Sequence, residues 1–267
     1  MADTELYLTL FIVPSPARPA ERLEVRMKRF LEAERTTESL DDERFARLTG
    51  SNGRADYLVG SRRFVAELKT INGDPKDRVE QRLRERLALP GSPLAFGQVG
   101  VSQVLERLPD EQEVLKVMND LSGRVVRRHL QKANEQIEAT KSLLRLNDAA
   151  GLAIIMNDSE RMIDAANIGY SIKSAMEAVA GSYLGISYVW ASIECHRIRT
   201  PAGIDGFPQL LVTKSLGPSP ELDFLARMLN AWAASLGSIL HSVPHNGDWN
   251  TMLPIYDGGP PVLQPYG

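Results

Sequence analysis

Two runs of strand-forming residues, Ala55–Val59 and Phe64–Ile71, stand on either side of Gly60-Ser61-Arg62-Arg63, and that spacing commits the chain to an antiparallel hairpin. A two-residue loop and a four-residue loop give the same register here, and in it Asp56 lies directly opposite Glu67. Side chains alternate across a strand, so Glu67 and Lys69 share one face while Ala66 and Leu68 take the other. Directly opposed residues hold their Cβ atoms about 4.5–5.5 Å apart, where like charges destabilise unless something offsets them. A divalent cation is a natural offset. Two carboxylates on one face suit Mg²⁺, which keeps several waters and binds through one or two carboxylates plus substrate phosphate. A lysine two residues on stands over the same spot, where it can position a water and offset charge on a phosphate under attack.

The rest of the chain alternates strands and helices. Leu6–Val13 reads as a buried strand closed by Pro14 and Pro16. Helical spacing follows from Pro19 to Ala33, and again from Asp41 to Leu48 with Phe45 and Leu48 on one side. Residues 76–123 read as a helical insertion: charged helix over Arg78–Leu89, a Pro/Gly break at Pro90–Pro93, and a separate amphipathic piece over Glu111–Leu121. A helix over Arg124–Leu146 carries Val126, Leu130, Ala133, Ile137 and Leu144 on one stripe and leads into the apolar run Leu152–Met156, a crossover arrangement. Asp158-Ser159 is placed to cap a helix reaching Ala180; strands are expected over Ile186–Ile193 and Gln209–Thr213. Ser219-Pro220-Glu221 starts a helix reaching Leu240, and the tail from Pro254 is expected to be irregular. The pattern predicts a single α/β domain over 1–267, with a core of 1–75 and 124–215 in which a central mixed sheet is flanked by helices. The insertion 76–123 and a C-terminal helix and tail over 219–267 complete it.

Composition narrows the partners. A hydrophobic share of 43 % and a charged share of 24 % are globular, and no apolar run is long enough to span a bilayer, so no membrane partner is expected. Cys195 is the single cysteine, which excludes an intramolecular disulfide; with no leader-like start, a cytoplasmic location is expected. The net charge of −3 gives no general attraction to nucleic acid. Locally the balance reverses: between Asp120 and Glu135 stand Arg124, Arg127, Arg128 and Lys132 with no acidic residue, and Arg124, Arg128 and Lys132 recur every fourth position. Arg62 and Arg63 at the hairpin tip extend this footprint as phosphate contacts.

Other constellations are weaker. His241, His245 and Asp248 have zinc-like spacing, but Pro244 and Gly247 break the geometry. Cys195 and His196 point to opposite faces of a regular strand, which favours a structural cysteine. No nucleophile elbow, Walker-type loop or dinucleotide fingerprint occurs.

Asp56, then Glu67-Leu68-Lys69 after a hairpin, followed by a long helix and an apolar strand, resembles the PD-(D/E)xK nuclease superfamily, the restriction-endonuclease-like fold. The motif covers residues 54–71 and the element order extends to about residue 158; Ala55 stands where the family name has proline. The resemblance implies a Mg²⁺-dependent endonuclease acting on DNA, with Mn²⁺ as a possible substitute. It makes Asp56, Glu67 and the Leu68 carbonyl metal ligands and places Lys69 beside the attacking water. It adds a first-helix glutamate, with Glu24, Glu32, Glu34, Glu38 and Glu43 all open, and a polar residue of the long helix beside the lysine, with Gln131 and Glu135 as candidates. A restriction or anti-phage defence enzyme is implied, as a homodimer or a subunit of a larger complex. The alternatives are an inactive nuclease-fold module that binds nucleic acid or a partner protein, and a ribonuclease.

Overall fold

The computed structural model describes residues 4–12, 21–45, 53–73, 76–92, 99–100, 108, 110–177, 183–214, 217–243, 253–256 and 262–263. Along the chain come β1 (Glu5–Ile12), α1 (Leu23–Ala33), β2 (Glu38–Ser39), a 3-10 turn (Glu43–Phe45), β3 (Tyr57–Val59), β4 (Phe64–Thr70), α2 (Lys76–Leu87), β5 (Val99–Gly100) and α3 (Glu111–Leu144). Then follow β6 (Ala150–Asn157), α4 (Ala165–Glu177), β7 (Tyr188–Ile193), β8 (Arg197–Arg199), β9 (Asp205–Thr213), α5 (Pro220–Ser235), β10 (Ile239–Val243), β11 (Leu253–Ile255) and β12 (Val262–Leu263).

The architecture is α/β with a central mixed sheet flanked by helices. The sheet runs β10-β1-β9-β7-β6-β4-β3-β2, with β8 and β11 continuing from β9, and β5 pairs separately with β12. β6 lies parallel to both β4 and β7, and its residues Leu152 to Met156 are fully buried, as expected of a strand covered on both faces. On one face, Leu58, Val65, Ala153 and Ile155 pack with Val126, Leu130, Ala133 and Ile137 of α3 and with Ile168 and Ile172 of α4. On the other, Phe64, Ala66, Leu68 and Ile154 pack with Leu23, Met27 and Leu31 of α1 and with Leu225, Met228 and Trp232 of α5. Ser219 caps α5 as its sequence requires, its hydroxyl accepting from the Leu222 N–H at 3.1 Å. Among the described residues, no helix is long and apolar enough to cross a membrane.

Several elements differ from expectation. The piece at Glu111–Leu121 and the helix from Arg124 are one continuous helix of 34 residues. Gly123 is a contact point and not a break: a Cβ there would lie 2.6 Å from Ser171 Oγ, so glycine lets α3 and α4 approach closely. Asp158 does not cap the following helix; it accepts from the Leu23 N–H at 3.0 Å and caps α1, while Asp164 caps α4 by accepting from Asn167 at 2.8 Å. The Asp41–Leu48 stretch yields only the short turn at Glu43–Phe45; residues 46–48 lie outside the described residues. The last helix stops at Ser235, and Ile239 onward pairs as an edge strand with β1. Parts of the tail also pair, Leu253–Ile255 with β8 and Val262–Leu263 with β5.

Candidate active site

The hairpin pairs Tyr57 with Ala66, Leu58 with Val65 and Val59 with Phe64, a register whose next step would oppose Asp56 to Glu67. Its tip closes with an Arg63 N–H to Gly60 carbonyl bond at 3.3 Å, with Ser61 and Arg62 both at positive φ, the primed turn that matches strand twist. Just before β3 the ladder departs from that register, the Asp56 N–H donating to the Ala66 carbonyl at 3.1 Å. There the Asp56 carboxylate reaches across and accepts from the Leu68 N–H at 2.8 Å. The N–H and C=O of one strand residue face the same neighbour, so the Leu68 carbonyl is turned to the Asp56 side.

Glu67 is only 1 % exposed, and Lys69 Nζ donates to its Oε1 while its Oε2 has no hydrogen-bond partner. Burial, reinforced by the Asp56 carboxylate, pushes the Glu67 carboxyl up to about 8 in spite of Lys69. Asp56 is also raised, by burial first; the Leu68 N–H and the Lys69 charge pull the other way. Two carboxyl groups thus face one another with too little positive charge to keep both ionised.

α3 fixes this arrangement. Lys69 Nζ also donates to Gln136 Oε1 at 2.7 Å, and Gln136 Nε2 donates to the Arg54 carbonyl at 2.9 Å. One turn later Thr140 Oγ1 accepts from the Ala55 N–H at 2.7 Å. The residues just before Asp56 are therefore held at two points by the helix that positions Lys69. Behind the hairpin, α1 contributes Glu24, which accepts from Thr70 Oγ1 at 2.9 Å and pairs with Lys28 at 2.8 Å. The Lys28 charge acts on Asp56.

The sequence expectations divide accordingly. Asp56, Glu67 and Lys69 come together. Gln131 and Glu135 do not join them: both are exposed, and Gln131 Nε2 donates to Glu135 Oε1 at 3.2 Å. Gln136 takes the place beside the lysine, because it lies on the side of α3 that Thr140 shares and Glu135 does not. Of the glutamates considered, Glu24 touches β4, whereas Glu32 bonds Tyr57 and Glu38 bonds Arg62. Arg62 and Arg63 are engaged within the fold. Arg62 grips Glu38 through two nitrogens; Arg63 donates to the Pro220 carbonyl at 3.2 Å and lies over the Phe224 ring. Arg127 bonds the Asp120 carbonyl at 3.3 Å. Arg124, Arg128 and Lys132 are exposed along α3, with no ion pair to another described residue. Cys195 and His196 are corrected too: residues 194–196 leave the regular strand, and Cys195 Sγ lies 3.1 Å from His196 Nδ1 in the interior. His245 and Asp248 lie outside the described residues.

Among the described residues, no group of three or more His, Cys, Asp and Glu side chains is gathered as a metal cage. The hairpin instead supplies two carboxylates, one with an orphaned buried oxygen, and a backbone carbonyl on the same edge. That donor set fits Mg²⁺, which keeps waters in most of its coordination positions, and does not fit zinc. No family model, curated protein or solved structure matches the chain.

Proposed function

We propose that this protein is a metal-dependent nuclease that hydrolyses phosphodiester bonds of DNA, on a core resembling the PD-(D/E)xK fold. The observation that carries the reading is the buried Asp56–Glu67 pair beside Lys69, with Glu67 Oε2 unpartnered at the hairpin edge. Two buried carboxyl groups this close keep one proton between them, and a bound cation would let both ionise. The topology is consistent with the resemblance: hairpin, long helix, then a strand parallel to the hairpin's second strand.

Asp56, Glu67 and the Leu68 carbonyl would hold Mg²⁺, which when bound supplies positive charge against the phosphate under attack. Lys69, fixed from two sides, positions the attacking water and offsets charge on the phosphate oxygens. The water oxygen bonds to phosphorus and gives up a proton to solvent, while the bond from phosphorus to the leaving oxygen breaks and that oxygen takes up a proton from solvent. Gln136 keeps the ammonium aimed. Arg124, Arg128 and Lys132 hold the nucleic-acid backbone electrostatically without reading its sequence. A homodimer, or a place in a larger restriction or defence complex, belongs to the same reading, since cutting both strands calls for paired sites.

The test is cleavage of plasmid and linear DNA, with an RNA of the same sequence alongside, in Mg²⁺ or Mn²⁺. Wild type is expected to cut DNA, and Asp56→Ala, Glu67→Ala and Lys69→Ala are expected to lose cutting. Cutting retained by all three variants overturns the site; binding without cutting under either metal establishes the inactive-module reading instead.

A further inference from the structure

His129 occupies a place that no part of this account has used. Seven residues separate it from Gln136 and eleven from Thr140, so the three fall on nearly one line along α3, since seven and eleven residues are each close to whole turns. Gln136 and Thr140 both bond into the hairpin region, at Lys69, Arg54 and Ala55. His129 continues that line. α3 leads into β6, which runs parallel to β4, so the helix runs opposite to β4 and His129 lies toward the carboxyl end of the strand. Open α/β sheets bind their ligands at that end.

The surroundings are one-sided. The charges acting on the imidazole are those of Arg128, Lys69 and Lys132. Arg128 and Lys132 are exposed on the neighbouring helix surface. The ring is half-buried, and its Nε2 is shielded from water without a hydrogen-bond partner. The fold leaves this nitrogen unsatisfied, so turning the ring toward an incoming ligand breaks no bond at that atom. Burial, then the nearby cations, push its pKa down to about 4, which leaves the ring neutral at neutral pH. The exposed Arg128 and Lys132 beside an unsatisfied imidazole, with the Lys69 charge acting on the same ring, form a setting for an anion with acceptor oxygens.

The geometry points to His129 as a contact for the phosphate backbone of a nucleic-acid strand, between Lys69 at the hairpin and Arg128 and Lys132 on its own helix. This deepens the nuclease reading and rests on it for the identity of the strand. It assigns α3 the track along which the strand leaves the site: Arg124, Arg128 and Lys132 recur every four residues, a rise of about 6 Å per step, comparable to the separation of successive phosphates in an extended strand.

The experiment measures binding and not cleavage, so it stands apart from the nuclease test. A short labelled single strand and the matching duplex are titrated, without divalent metal, against wild type, His129→Leu, His129→Gln and the charge control Arg29→Gln on α1. His129→Leu is expected to weaken binding about tenfold or more, the scale of a hydrogen bond to a charged group. His129→Gln keeps a side-chain donor and should recover much of that loss, and Arg29→Gln should bind like wild type. Thermal unfolding of His129→Leu should be unchanged or raised, because an orphaned polar atom has been removed. In wild type labelled with ¹⁵N-histidine, the ring resonances identified by their loss in His129→Gln should shift as the strand is added. Unchanged binding by both His129 variants, or ring resonances that stay fixed at saturation, overturns the assignment even if the enzyme cuts DNA. Histidine-dependent binding by a protein that never cuts would remove the nuclease reading and leave this contact standing.

Discussion

Gln136 holds Lys69 in place by facing two ways, accepting from the ammonium at 2.7 Å while its amide donates to the Arg54 carbonyl at 2.9 Å. The second bond fixes which end of the amide meets the lysine. Groups that orient a catalytic residue in this way typically change activity by about 10–100-fold when removed. Gln136→Leu is therefore expected to lower kcat by about that range while KM changes little. Gln136→Glu keeps the acceptor for Lys69, loses the Arg54 bond, and should fall between. Steady-state kinetics on a DNA substrate decide it; a change confined to KM would place Gln136 in binding and not in positioning.

Stability should carry the imprint of Glu67. Its carboxyl is raised from 4.5 to about 8 in the fold, so between these values the native state binds the extra proton. The stabilisation is fully present below about pH 4.5 and is lost as pH rises through about 8. Glu67→Gln, which stays neutral, should match wild type near pH 4.5 and exceed it increasingly toward pH 8, by about 1–3 kcal/mol. Urea unfolding across that range measures it, and a difference that shrinks with rising pH would contradict the assignment.

Cation binding should displace that same proton. A carboxyl protonated at pH 7 must ionise to ligate Mg²⁺, so binding releases up to about one proton per ion. An indicator dye in weak buffer should report acidification when Mg²⁺ is added at pH 7, little above pH 9, and none with Glu67→Gln. This readout is independent of whether DNA is cut.

On the opposite side of the sheet, Arg26 of α1 pairs with Glu194 through both nitrogens, and both residues are buried. Removing one partner strands the other charge, at a cost of about 3–5 kcal/mol. Arg26→Met should destabilise on that scale, and Arg26→Met with Glu194→Leu should recover much of the loss. A chemical-denaturation double-mutant cycle is the check; equal losses in single and double variants would show that packing matters here and not charge.

The local features were legible in the sequence because they are set by short-range rules. Apolar alternation and the four-residue connection determine the register from Tyr57–Ala66 to Val59–Phe64, whereas the shift at Asp56, whose N–H meets the Ala66 carbonyl, leaves no mark in the sequence. The caps at Ser219 and the stripe of Val126, Leu130, Ala133 and Ile137 follow from helical spacing. Long-range features were not legible. Whether Arg62 and Arg63 meet phosphate or protein depends on Glu38 and on Phe224, which the sequence does not bring near. Gln136 was missed for Glu135, its neighbour, since helical phase was not anchored; the pairing of Thr140 with Ala55 would have anchored it. The pieces at Glu111–Leu121 and from Arg124 read as two because the reason for Gly123 between them, Ser171 on another helix, is a tertiary contact.

The strand order also sets the course of folding. β1 pairs from Glu5 with Thr213 of β9 and from Ile12 with Ile239 of β10, whereas the Asp56–Glu67 hairpin closes within a few turns of chain. The entropy cost of closing a loop rises with the logarithm of its length, and proteins rich in distant pairings fold more slowly. The Asp56–Glu67 hairpin is therefore expected to form before β1 finds β9 and β10. Substitutions at Leu8 or Leu210, deep in that late-forming half, should therefore speed unfolding far more than they slow refolding, and leave the arrangement around Lys69 in place.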